Sequence, residues 1–104
     1  MKHILFDLKE CLVPSLLDDE EYVKETLIEA IKIAKLELLR VDTHKFQPHG
    51  VTGYALLKES HISIHTWPED DIASGSSIKF SFVKLIEFNQ SFSSYFMFYH
   101  ISIF

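Results

Sequence analysis

The chain has 104 residues, of which 47% are hydrophobic, with a formal net charge of −5 and one cysteine, Cys11. That length holds a single domain with a modest core, and is short for an enzyme that builds a whole site alone. The acidic balance argues against nucleic acid or an anionic membrane as partner, because phosphate recognition needs a basic footprint.

A lone cysteine excludes an intrachain disulfide framework. No apolar run has the length of a membrane span or of a signal-peptide core, which gives a cytoplasmic expectation. Residues 1–8 read as a strand with Ile4 and Phe6 on one face. "LVPSLLDDEE" then supplies a proline, a serine and four acids, the chemistry of a connection leading into a helix N-terminus. From about Glu20 to Leu39, Val23, Leu27, Ala30, Ile31, Ala34 and Leu38 recur at helical spacing, and charged residues fill much of the other face. "LLRVDTHKF" returns to strand character, "QPHG" is a turn, "VTGYALL" and "HISIHTW" are strands, and "KES" connects them tightly.

Short strands with one long helix over them predict an α+β two-layer sandwich, its sheet mostly antiparallel. Residues 1–104 form one domain on this reading. After about Ser74 the composition changes, and seven of the nine phenylalanines fall in this last part. "IKFSFVKLIEF" could form a strand; "NQSFSSYFMFYHISIF" spreads aromatics over every face and has no surface-like pattern. A divergent tail and a coding sequence read out of frame both fit residues 74–104.

The most unusual chemistry lies in "KESHISIHTWPE" (58–69). His61 and His65 on a strand stand about 13 Å apart along the backbone, too far to share a zinc ion that needs nitrogens at about 2 Å. No other histidine has ligand spacing, so no metal is expected. A nucleophile elbow is excluded because Ser60 lies between Glu59 and His61 and not between glycines. A third chemistry is attack by the Ser60 hydroxyl on the Glu59 carbonyl, then removal of the Ser60 α-proton by a base and β-elimination. Hydrolysis of the resulting dehydroalanine leaves a pyruvoyl cap on the new chain.

"HKFQPHGVTGYALLKESHISIHTWPE" resembles the processing region of the prokaryotic S-adenosylmethionine decarboxylase proenzymes, pyruvoyl enzymes of polyamine (spermidine) biosynthesis. The resemblance runs over residues 1–73. It implies cleavage between Glu59 and Ser60, with Ser60 the pyruvoyl precursor and the Schiff-base partner of the substrate amine. It further implies His65 as processing base, Thr52 as processing hydroxyl at a position usually serine, Phe46 stacked on the substrate adenine, and Glu69 accepting from the ribose hydroxyls. The pyruvoyl group would do the hard chemistry while the protein orients the substrate.

Ser60 and His65 are an odd number of residues apart, so a regular strand points them to opposite faces about 16 Å apart. A symmetric homodimer could lend His65 and Thr52 of one copy to Ser60 of the other, and the family is expected to share sites in this way. The chain departs from the family pattern at two further points. The cysteine that donates a proton in decarboxylation has Phe80 in its place, and Leu8 stands where an adenine-sandwiching aromatic is expected. Alternatives therefore stay open: a catalytically impaired or dead homologue or partner subunit, or a pyruvoyl decarboxylase of arginine or ornithine.

Overall fold

The computed structural model describes residues 3–11, 13–78 and 96–103. Six strands form one sheet in the order β2-β3-β4-β5-β1-β6: β1 His3–Cys11, β2 Leu38–Lys45, β3 Val51–Leu57, β4 His61–Trp67, β5 Ile72–Ile78 and β6 Phe96–Ile103. Every neighbouring pair is antiparallel. The steps from β2 through β3, β4 and β5 to β1 make β1 and β2 parallel with three strands between them. The chain covers that distance through α1 (Glu20–Ile33), which crosses one face of the sheet. The fold is the expected α+β sandwich.

Strict alternation builds the core. β3 buries Val51, Gly53, Ala55 and Leu57, while β4 buries Ile62, Ile64 and Thr66. Together with Ile4, Phe6 and Leu8 of β1 these meet Val23, Leu27, Ala30 and Ile31 of the helix. The period-2 pattern puts the intervening residues on the opposite face, where no helix of the described residues covers them.

Asp19 caps α1, its Oδ1 accepting the Tyr22 N–H at 3.0 Å. Glu20 and Glu21 occupy the first turn and Lys32 the last, each complementing the helix dipole. The sequence period ran on to Leu39, but the helix stops at Ile33. Lys35 adopts a left-handed conformation at φ 58°, and the Leu36 N–H donates to the Ile31 carbonyl at 3.1 Å. That pairing closes a helix C-terminus of the Schellman type. Leu38 therefore belongs to β2, where it packs against the core.

The Phe-rich ending also departs from expectation. Phe96–Ile103 pairs with β1 from Ile4↔Ile103 to Cys11↔Phe96. Aromatic and β-branched residues favour a pleated strand, and β1 would otherwise present an unpaired edge. "IKFSFVKLIEF" lies, apart from Ile78, outside the described residues. Among the described residues no helix is long and apolar enough to cross a membrane.

Candidate active site

The sheet face opposite α1 carries the chemistry. Thr52 and His65 are directly opposed in the β3–β4 ladder. Both side chains point to the open face, and the Thr52 hydroxyl lies 2.6 Å from His65 Nδ1. With the proton on Nε2 the hydroxyl donates to Nδ1; in the other tautomer Nδ1–H donates to the hydroxyl. Phe46, just past the end of β2, meets the His65 ring edge-on at 5.6 Å. Trp67 meets it on the same strand at 4.4 Å, and His44 packs against Phe46 at 4.6 Å. Two aromatic rings therefore fix the imidazole plane while a hydroxyl holds one nitrogen. Phe46 and Trp67 remain 39% and 37% exposed, leaving ring surface for a ligand.

Beside this pair is an open cavity of about 310 Å³ lined by Leu5, Thr52, Ser63, His65, Ser74 and Ser76 among others. Ser63 and Ser76 share a hydrogen bond of 3.1 Å on its floor. Glu69 is exposed in a single 3-10 turn, Pro68–Asp70, that follows Trp67 directly. Phe46, Thr52, His65 and Glu69 thus belong to the same end of the sheet.

Ser60 is at the other end. It precedes β4 in the tight β3–β4 turn, where the Leu57 N–H donates to the Ser60 carbonyl at 2.9 Å. Its side chain is half-buried, and its Oγ comes no closer than 3.5 Å to the carbonyl of His61, a weak contact. Glu59 is exposed in the turn. His61 stacks on Tyr54 next to this turn, ring centroids 5.9 Å apart. At about 3.3 Å per residue, the run from Ser60 to His65 separates their backbones by about 16 Å. One copy therefore brings Thr52, His65 and Phe46 together and leaves its own Ser60 apart from them.

Leu8 needs a different reading from the one drawn from the sequence. Its side chain is completely buried on the helix face, so an aromatic at that position would enter the core. On β1 the open face is taken by Leu5, 41% exposed and part of the cavity wall. Position 80 lies outside the described residues. Among the described residues, no three His, Cys, Asp or Glu side chains come close enough to hold a metal.

Sequence reasoning missed the supports of the site. Asp18, read as one of four helix-start acids, turns away from α1: its Oδ1 accepts the Gly50 N–H at 2.7 Å and the Lys45 ammonium at 3.0 Å. The Gly50 bond first, and Lys45 second, hold its carboxyl below the ordinary value. Thr66, 1% exposed, donates to the Leu17 carbonyl at 2.6 Å and accepts the Val51 N–H at 2.9 Å. A single buried threonine within an alternating strand was the available signal, and it named no partner.

The fold and site define a small antiparallel-sheet protein with a threonine–histidine pair on the sheet face opposite the helix and a serine in a hairpin turn. The sequence profile of the S-adenosylmethionine decarboxylase family matches residues 2–75. An S-adenosylmethionine decarboxylase proenzyme of Prochlorococcus marinus (strain MIT 9211) is 53% identical over 73 residues, 70% of this chain and 59% of that one. One from Methanococcus vannielii is 53% identical over 68 residues, 65% of this chain and 55% of that one. The crystal structure of the adenosylmethionine decarboxylase from Aquifex aeolicus superposes with a TM-score of 0.86 at 31% identity, covering 99% of this chain and 87% of that one. The Trypanosoma brucei AdoMetDC-delta26 monomer shares the fold alone, at TM-score 0.56 and 11% identity, over 77% of this chain and 36% of that one. This chain belongs to the S-adenosylmethionine decarboxylase family, and its match spans less than two thirds of these curated relatives' length.

Proposed function

We propose that this chain, a single domain over residues 1–104, is a self-cleaving pyruvoyl-dependent decarboxylase of S-adenosylmethionine that works as a homodimer with shared sites. Its product would be the aminopropyl donor for spermidine synthesis, in a cytoplasmic setting that suits a chain with one cysteine. The observation that carries the reading is the 2.6 Å Thr52–His65 pair beside a half-exposed aromatic, on the sheet face opposite α1.

In this reading Ser60 Oγ attacks the Glu59 carbonyl carbon. The bond from that carbon to the Ser60 nitrogen breaks, the nitrogen takes the hydroxyl proton, and an ester replaces the amide. His65, oriented by Thr52, removes the Ser60 α-proton. The Cβ–O bond then breaks, and Glu59 leaves as a carboxylate chain end. Water hydrolyses the dehydroalanine at position 60 with release of ammonia. The site suits such a cap, because Ser60 stands outside the strand pairing and the β3–β4 ladder from Leu56↔His61 to Thr52↔His65 survives a break ahead of it.

The pyruvoyl group supplies a carbonyl that captures the substrate amine and accepts the electron pair left by loss of CO2. Phe46 offers a ring face to adenine. Glu69 accepts from the ribose hydroxyls, and the net charge of −5 favours a cationic sulfonium substrate.

A second copy supplies what the distance from Ser60 to His65 denies to one. Leu5, Tyr54, Leu56 and Trp67 are large apolar residues exposed on the sheet face opposite α1, the pattern of a surface that awaits a partner. Symmetric pairing of that face would set His65 and Thr52 of each copy near Ser60 of the other.

One observation favours a slower variant of the same reading. Residues 12–104 hold no cysteine, so no thiol in this stretch, where the family's proton donor is expected, can protonate the carbanion in the decarboxylation step. Cleavage would proceed and turnover would be impaired.

Denaturing mass spectrometry of the purified protein tests the proposal. Fragments 1–59 and 60–104 are expected, the second blocked at its N-terminus and reducible by borohydride, together with CO2 release from S-adenosylmethionine. An intact chain after prolonged incubation at neutral pH would overturn it.

A further inference from the structure

Asp18 has no part in the chemistry above, yet it holds both ends of the loop that carries Phe46. Its Oδ1 takes the Gly50 N–H at 2.7 Å, 32 positions along the chain, and the Lys45 ammonium at 3.0 Å. Lys45 Nζ also donates to the Phe46 carbonyl at 2.7 Å, and the Phe46 N–H donates to the Gly50 carbonyl at 2.8 Å. Loop 46–50 is thereby closed on itself and anchored from outside by one carboxylate.

The side chains of Lys45 and Asp18 are 25% and 32% exposed, shielded enough for the pairing to keep its geometry. Gly50 has little freedom to move. Its φ of 106° is one that other residues avoid, and a Cβ there would lie 3.0 Å from the Thr66 carbonyl oxygen. Two residues further on is Thr52, bonded to His65. Any shift at Gly50 therefore passes along β3 to the hydroxyl, and any shift at Lys45 passes to the Phe46 backbone.

We propose that Asp18 is a positioning residue, setting loop 46–50 so that Phe46 and the Thr52–His65 pair keep their mutual geometry. The inference rests on the reading of those three as site residues. It is specific to the carboxylate, because one oxygen serves two donors that lead to different parts of the site.

The test compares Asp18→Ala, Asp18→Asn and Lys45→Met in the full-length protein, read by the ¹⁵N resonances of the His65 ring and by steady-state kinetics. D18A is expected to move the His65 ring resonances, to raise KM for S-adenosylmethionine about tenfold and to slow self-cleavage by a similar factor. D18N keeps an oxygen toward the Gly50 N–H and should move the resonances in the same direction by less. K45M releases the Phe46 carbonyl and one of the two donors to Asp18 but leaves the Gly50 bond intact, so it should raise KM and leave the His65 resonances in place. Where D18A fails to fold, D18N against K45M makes the same comparison. If neither Asp18 variant moves the His65 resonances while melting temperature falls, Asp18 is only a structural bond and the inference is wrong. A parent protein that neither cleaves nor decarboxylates would overturn the proposed activity, and the ring resonances would still decide the role of Asp18.

Discussion

Replacing Thr66 by valine removes one hydroxyl and leaves the side-chain shape nearly unchanged. The residue is 1% exposed, and its two short bonds go to the backbone of Leu17 and Val51, themselves buried. Water therefore has no route to replace the lost partner. Each buried backbone group left without a partner costs about 1–3 kcal/mol. Two of them give about 2–6 kcal/mol, less about 1 kcal/mol for burying a methyl in place of a hydroxyl. The expected loss is about 3 kcal/mol, which lowers the melting temperature of a domain this size by roughly 12–24 °C. Thr66→Ser keeps the hydroxyl and loses a methyl, at a cost of about 1 kcal/mol. Urea and thermal unfolding would be followed by circular dichroism in a Ser60→Ala background, where the chain stays one covalent species. T66V as stable as T66S would refute the argument, since the hydroxyl would then not be holding those backbone groups.

The Thr52 hydroxyl should matter through His65: Thr52→Val is expected to slow fragment formation by about 10²–10⁴-fold, while Thr52→Ser stays close to the parent, both read by mass spectrometry over time. Gly75→Ala should destabilise by at least about 3 kcal/mol in urea titrations, because its Cβ would press on the Ser63 carbonyl and the Phe6 ring in mid-sheet; parental stability would mean that β5 can shift to make room. The lowered carboxyl of Asp18 contributes stability that is fully present above its ordinary value of 3.8 and is lost as pH falls through the folded-state value. The difference in urea midpoint between parent and D18N should accordingly be constant near neutral pH and shrink below about pH 4; a gap unchanged in acid would contradict the bond.

The patterns "VTGYALL" and "HISIHTW" were enough to assign β3 and β4, because a strand's two-residue period is a property of the chain alone. The same local logic located the α1 start, and the family resemblance of "ESHISIHTWPE" is what raised cleavage at Glu59–Ser60 as a proposal. Local pattern could not stop the helix at Ile33, since the left-handed turn at Lys35 has no glycine to announce it. It could not rank Asp18 apart from Asp19 either: both are acids before a helix, and only the folded chain brings Gly50 and Lys45 to one of them. Leu8 was misread for the same reason, because which face of β1 the helix covers is decided by packing. Thr52 and His65 are 13 positions apart, and their contact exists only through strand register. Residue chemistry and period are properties of the chain itself, whereas a meeting of distant groups depends on the sheet that joins them.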